Sequence, residues 1–525
     1  MISLKDYMSK RNRHRRLGLV FAMILLFLMG VGVEFSLGRI VAGLPDMADL
    51  FRRMAHPNFS YMGEVLEKIM ETLEIAILSS MTGVMLAIPV SLLTAENISP
   101  NRYVSKMLNG VFAFFRTIPS LIWAALLVSV FSIGKFSGTL ALAIIAFLMA
   151  LKLFREYIES INENQLNSTR SVGASSLEVL RYCVLPNMLG MAVSVFFIVF
   201  ETNIRSATVL GLVGAGGIGQ MMWRDLNHLR YDNLATIILM LFATILFIDL
   251  LSYQMRKFLQ EYSPAYKNLQ HYRLHQIFKS VLIPALMTVM MVGIINSLNI
   301  SLERLAVGYG QGRQMVLRML QVDFSYYPKL LEGIFESFLI AVFATITGGL
   351  LAILFSYFAA GNLSPGKLTS LAMKGLINIM RTFPPIIMAI IFFRGVGPGP
   401  LAGALALSIY TTGVLTKMYS EVLENMQGNV KESVLVTGAT RFEAYRHGVF
   451  PQTFPHFTSL LLYRMESNIR NATVLGIIGA GGIGTALTMN INWRNWERVG
   501  LLLLGVSVMI ILIDRLSNHI RQKVK

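Results

Sequence analysis

The chain of 525 residues is 54% hydrophobic and only 14% charged, against roughly 25% charged in soluble domains, which excludes a water-soluble globular protein and indicates a membrane protein. The formal net charge of +17 lies mostly between hydrophobic runs, which argues against a nucleic-acid footprint and suits basic cytoplasmic loops beside anionic lipid headgroups. Cys183 is the only cysteine, so an intramolecular disulfide and a cysteine-based zinc site are excluded.

From the N-terminus, Lys5, Lys10, Arg11, Arg13, Arg15 and Arg16 make residues 1–16 basic, ahead of the apolar run LGLVFAMILLFLMGVGV. A signal peptide begins in the same way. No small-residue cleavage site follows directly, however, so the run is read as a retained anchor with the N-terminus in the cytoplasm. Stretches of about 20 mostly apolar residues place further spans near 72–94, 108–131, 137–154, 187–203 and 234–254. With six spans the chain returns to the cytoplasm, where residues 255–280 carry Arg256, Lys257, Lys267, Arg273 and Lys279. Spans near 281–298, 337–360, 373–393, 399–417, 453–467 and 499–516 follow, and they leave the C-terminus cytoplasmic too. The expected fold is an all-α, multi-pass membrane protein of about 12 transmembrane helices.

The two sets of spans are one module duplicated. Residues 201–219, ETNIRSATVLGLVGAGGIG, and 466–484, ESNIRNATVLGIIGAGGIG, agree at 15 of 19 positions, and they are 265 residues apart. The same ungapped shift pairs Phe59-Ser60-Tyr61 with Phe324-Ser325-Tyr326, Arg116-Thr117-Ile118-Pro119 with Arg381-Thr382-Phe383-Pro384, and Asp249 with Asp514. A period this long is a domain, since solenoid units run roughly 20–50 residues. The organisation read from it is a tail at 1–16, a first module at 17–254, a linker at 255–280 and a second module at 281–525. Both modules start on the same side, so the repeat is parallel, about an axis along the membrane normal. Segments 33–71 and 298–336 are too polar to span and fall on the outer face.

On this topology residues 155–186 and 420–451 are the longest cytoplasmic loops of each module. The first holds Gly173-Ala174-Ser175-Ser176-Leu177-Glu178 and closes on Pro186; the second holds Gly438-Ala439-Thr440-Arg441-Phe442-Glu443 and closes on Pro451. A glycine thirteen residues before a proline, with a short helical stretch between, resembles the Glu-Ala-Ala loop of ABC importer permeases. Glu432 stands at the motif's glutamate in the second loop, whereas the first has Asn167 there. The resemblance implies that each loop forms a coupling helix docking on an ATPase subunit.

Within the repeated stretch, Glu201 and Arg205, and Glu466 and Arg470, are four residues apart, so each pair shares a helix face. Ionisable groups at membrane depth are costly and face a partner or an aqueous path. The fifth span of each module is therefore expected at the central interface, near its outer end. Arg205 and Arg470, with Asn203, Asn468, Thr208 and Thr473, offer donors to an oxyanion; a structural ion pair is the plainer account of the two charges. Gly214, Gly216, Gly217 and Gly219, with Gly479, Gly481, Gly482 and Gly484, match a dinucleotide pattern by accident, because the required strand and βαβ unit are missing. They are read as tight outer turns between spans five and six. Gly361 to Leu368 has phosphate-loop spacing but leucine where magnesium needs a hydroxyl. No metal site, cofactor or catalytic constellation is read in the chain, so the energy source is a partner. Arg116 and Arg381 are read as snorkelling within the third spans, and Asp249 and Asp514 as anchors ending the sixth.

The repeated N-I-R-x-A-T-V-L-G with G-A-G-G-I-G, the R-T-[IF]-P element and the G-A-[ST] loop ending in proline are similar to the permease of phosphonate-type ABC importers. That resemblance implies the type I (MetI-like) importer fold in the bacterial inner membrane and both halves of the pore in one chain, so that no homodimer is required. It also implies two ATPase subunits that carry the ATP and magnesium, and a periplasmic or lipid-anchored binding protein delivering phosphonate or phosphite. The alternative is a secondary transporter with parallel repeats driven by an ion gradient, which needs functional carboxylates in mid-span.

Overall fold

A computed structural model describes residues 30–99, 101–261, 292–293, 302–426 and 429–524. The basic tail, most of the first anchor, most of the linker 255–280 and most of the span 281–298 lie outside the described residues.

Among the described residues, ten α-helices recur in each half. The first set is α1 Leu37–Met54, α2 Met62–Thr94, α3 Arg102–Thr117, α4 Ser120–Phe131, α5 Lys135–Glu159, α6 Glu163–Ser171, α7 Ser176–Val179, α8 Leu185–Leu210, α9 Ile218–Asn227 and α10 Tyr231–Glu261. The second set is α11 Leu302–Leu320, α12 Tyr327–Ala359, α13 Lys367–Thr382, α14 Pro385–Val396, α15 Pro400–Glu424, α16 Asn429–Leu435, α17 Arg441–Ala444, α18 Phe450–Gly476, α19 Ile483–Asn492 and α20 Trp496–Val524. Among the described residues seven of these helices are long and apolar enough to cross a membrane, and two bent pairs raise the number to nine. Arg464, Glu466 and Arg470 make α18 more polar than those seven.

The third span of each module is broken where the sequence reading ran it straight through. Proline has no N–H and pushes the preceding residue toward extended backbone. Ile118 and Phe383 accordingly take ψ of 118° and 122°, and α3–α4 and α13–α14 each bend by 86°. Arg116 and Arg381 thereby fall in the last turn of α3 and α13, where a cation meets the negative end of the helix dipole. The spans that open each module's core are also longer than read. Asn58 and Asp323 cap the Phe-Ser-Tyr turns by accepting from Ser60 N and Ser325 N, and α2 and α12 then run 33 residues each.

Contacts cluster into two compact units, Arg52–Arg318 and Met1–Phe51 with Met319–Lys525. These differ from modules 17–254 and 281–525 because the first described helix of each half is exchanged. In the unit containing α12–α20, Gly43 of α1 lies against the backbone of Gly395 in α14, and the Phe35 and Phe343 rings are 5.6 Å apart. In the other, Gly308 of α11 lies against Phe131 at the end of α4. Close backbone approach at glycine suits helix packing in lipid, where the hydrophobic effect supplies little association energy.

Each unit's core is built from α2 or α12 lying along α5 or α15, with α8 or α18 against both. Gly83 of α2 meets Ala146 and the backbone of Phe147, and Gly348 of α12 meets Ser408 and Thr411. Phe154, Ile158, Val195 and Val199 are buried in the first core, while Tyr419 and Phe457 stack at 4.1 Å in the second.

Candidate functional site

The repeated signature begins on α8 and α18, runs through the turns that follow them and ends in the first residues of α9 and α19. Asn203 is 1% exposed, and its Nδ2 donates to Ser79 Oγ at 3.1 Å and Ser80 Oγ at 2.9 Å on α2. Asn468 is fully buried and donates to Thr345 Oγ1 on α12 and Thr411 Oγ1 on α15, both at 2.9 Å. Thr208 and Thr473 donate to Ile204 O and Ile469 O of their own helices. The two asparagines thus serve as interhelical ties, and neither threonine hydroxyl offers its hydrogen to a ligand.

Arg205 is held from two sides. Its Nη2 lies 2.8 Å from Glu201 and 2.8 Å from Asp249 on α10. Arg470 lies 2.5 Å from Glu466 on the same helix. Asp249, at the end of the sixth span, is therefore an ion-pair partner of the repeated stretch. Ser79 and Ser80, the partners of Asn203, stand near the middle of α2, away from its N-terminal end.

The glycine turns do stand nearer that end. Gly214, Gly216 and Gly217 have φ of 85°, 83° and 74°, and Gly479, Gly481 and Gly482 have 90°, 79° and 76°, a region open to glycine and costly to other residues. Gly217 N donates to Glu71 Oε1 at 3.0 Å and Ile218 N to Thr72 Oγ1 at 2.8 Å. In the second half Gly482 N donates to Glu336 Oε2 at 2.8 Å and Ile483 N to Ser337 Oγ at 2.9 Å. Side chains from α2 and α12 thus satisfy the first amides of α9 and α19, the groups a helix leaves unpaired. With a carboxylate already on those amides, the turn has no vacancy for a phosphate. A Cβ on Gly219 or Gly484 would run into the carbonyl of Thr208 or Thr473, so small residues let the turn fold back on its own span.

The two loops between α5 and α8, and α15 and α18, share one design. Gly173 and Gly438 have φ of 87° and 84°, followed by half-buried Ala174 and Ala439. Glu178 accepts from Ser175 N and Oγ at 2.7 Å each. Glu443 accepts from Thr440 N at 2.7 Å and Oγ1 at 2.8 Å, completing a capping box. Hydrogen bonds from Ser175 and Thr440 hold both carboxyls below the usual carboxylate range. Leu180–Val184 and Tyr445–Val449 are then π-helical just before Pro186 and Pro451, whose missing N–H removes a regular helical bond. Glu432 is exposed on α16. The near-phosphate-loop at Gly361 is a fastening: Gly361 N donates to Glu424 and Asn362 Nδ2 to Leu423 O.

Sequence reasoning missed Glu71, Thr72, Glu336 and Ser337. Their signal was available, since a carboxylate followed by a hydroxyl recurs at the 265-residue shift beside apolar spans. It also missed Arg464, which has no counterpart in the first half.

The helices, the duplication and the apolar spans define a multi-pass, all-helical membrane protein with two copies of one module. The family model of the binding-protein-dependent transport system inner membrane component matches residues 87–263 and 352–525, and the chain belongs to that family; it is an ABC importer permease. It is 28% identical to the phosphate-import permease PhnE of Mycolicibacterium smegmatis over 94% of this chain and 91% of the relative. It is 32% identical to the phosphite transport system permease PtxC of Stutzerimonas stutzeri over 39% of this chain and 74% of the relative. A chain of the inward-facing MetNI methionine ABC transporter aligns with 39% of this chain and 100% of its own length, at 18% identity and a TM-score of 0.36.

Proposed function

We propose that this chain is the membrane permease of an ATP-driven importer for phosphorus oxyanions of the phosphonate and phosphite type. It supplies both halves of the translocation path and couples through its two loops to two separate ATPase subunits, which carry ATP and magnesium. A periplasmic or lipid-anchored binding protein delivers the substrate, and both termini are cytoplasmic. The observation that carries the substrate class is the similarity to phosphorus-oxyanion permeases, a phosphate-import permease along 94% of the chain and a phosphite permease over 39% of it. Coupling is supported by the twofold loop design. Within two residues of each loop glycine an apolar side chain stands in the open, Val172 at 83% and Val436 at 87% exposure, which suits a docking surface. Arg205 is assigned to holding α8 to α10, and Arg470 to an ion pair within α18, since their charges are matched by carboxylates.

Gly438 gives the direct test. Its φ of 84° disfavours a side chain, yet a Cβ there meets nothing within 4 Å, so a bulky residue projects into open space and spares the bundle. Gly438→Phe is expected to insert at wild-type level while phosphite uptake, with the ATPase and binding protein co-expressed, falls by at least tenfold. Uptake at the wild-type rate would overturn the coupling role.

A further inference from the structure

Arg464 of α18 is 6% exposed, and no carboxylate pairs with it among the described residues. Nη1 makes a long 3.4 Å contact to Ser467 Oγ, and the guanidinium carbon lies 4.7 Å from the centre of the Tyr410 ring on α15. Nε and Nη2 have no hydrogen-bond partner among the described residues. Glu466, two positions on, points to a different side of the helix and is engaged by Arg470.

A buried charge of this kind is costly unless something compensates it, and the fold does not require it. The corresponding positions in the first half hold Val199 and Ile145; Val199 is fully buried in its core. Both members of the pair differ together, while Glu, Asn and Arg at 466, 468 and 470 match the first half at 201, 203 and 205. The unpartnered atoms are themselves informative. Nε and Nη2 form one edge of the guanidinium, with two parallel N–H donors that suit a tetrahedral oxyanion in bidentate contact. The guanidinium carbon sits over the Tyr410 ring, and the buried, unpartnered Nε–Nη2 edge is the binding element.

We propose that Arg464, backed by Tyr410, is a one-sided binding point for a phosphorus oxyanion inside the second half of the permease. The substrate class rests on the function proposed above; the anion site itself does not. The full chain, purified in detergent, is to be melted with and without millimolar phosphite, inorganic phosphate or methylphosphonate. The midpoint should rise by several degrees with anion in the wild type. Arg464→Met should lose that shift while its anion-free midpoint is unchanged or higher, because an unpaired buried charge has gone; a purely structural arginine would lower it. Arg464→Lys should keep part of the shift, and Val199→Met all of it. No shift in the wild type, an equal shift in Arg464→Met, or a lower anion-free midpoint in that variant would overturn the site. Uptake separates the two readings. A wild-type transporter that moves none of the three anions but keeps an Arg464-dependent shift sinks the substrate class alone. Uptake by Arg464→Met with an unchanged apparent KM sinks the site alone, since a rise of at least tenfold is expected.

Discussion

Asn203 and Asn468 bring the chemistry of the repeat down to two side-chain amides, each tied to hydroxyls on neighbouring helices. A hydroxyl left without its partner in a buried site costs about 1–3 kcal/mol. Asn468→Ala should therefore lower the thermal midpoint of the purified chain, because it removes the acceptor of the fully buried Thr411 hydroxyl and the amide donor to Thr345, whose own hydroxyl keeps Ala341 O. Asn468→Leu combined with Thr345→Val and Thr411→Val should recover most of the loss, since all partners are then apolar; failure to recover would mean that packing dominates. The asparagines and the Glu–Arg pairs were legible in the sequence because helical spacing and duplication both mark them. Their long-range partners were not. Asn203 reaches across 124 residues to Ser79, and Gly217 across 146 to Glu71, separations that no local pattern encodes.

At the scale of the element, proline and glycine decide where helices stop. The turns after α8 and α18 were legible as turns, but their fastening to α2 and α12 came only with the fold. The 86° bends were signalled by Pro119 and Pro384 and were overridden in the sequence reading by unbroken hydrophobicity. Two glycines now separate two mechanisms. Gly484 packs on the Thr473 carbonyl, backbone that has no side chain to rotate aside. Gly375, inside α13, meets nothing within 4 Å of an added Cβ. Gly484→Ala should lower the midpoint and the yield of folded chain by shifting α19. Gly375→Ala should be neutral or stabilise by about 0.5–1 kcal/mol, the usual gain from glycine to alanine in a helix. Equal effects of the two would show that helix propensity, not contact, governs both.

For the whole molecule, duplication explains the near-identical helix boundaries, but not the exchange that makes each compact unit out of both halves of the sequence. That exchange was invisible in the sequence because α1 and α11 read as polar surface segments, and their packing partners, Gly395 and Phe131, lie in the opposite half of the sequence. It predicts how the chain behaves when divided. If residues 1–270 and 271–525 are co-expressed as two chains, with an affinity tag on the second alone, the first should copurify, because α1 packs on α14 within one compact unit. The contact most sensitive to bulk is Gly43, whose added Cβ would collide with the Gly395 backbone. Gly43→Leu should cut copurification several-fold while leaving both pieces in the membrane. Gly63→Leu, where nothing lies within 4 Å, should leave copurification unchanged. Undiminished recovery with Gly43→Leu would mean that the exchanged helix is not what binds the pieces, and that other contacts hold the two halves of this permease together.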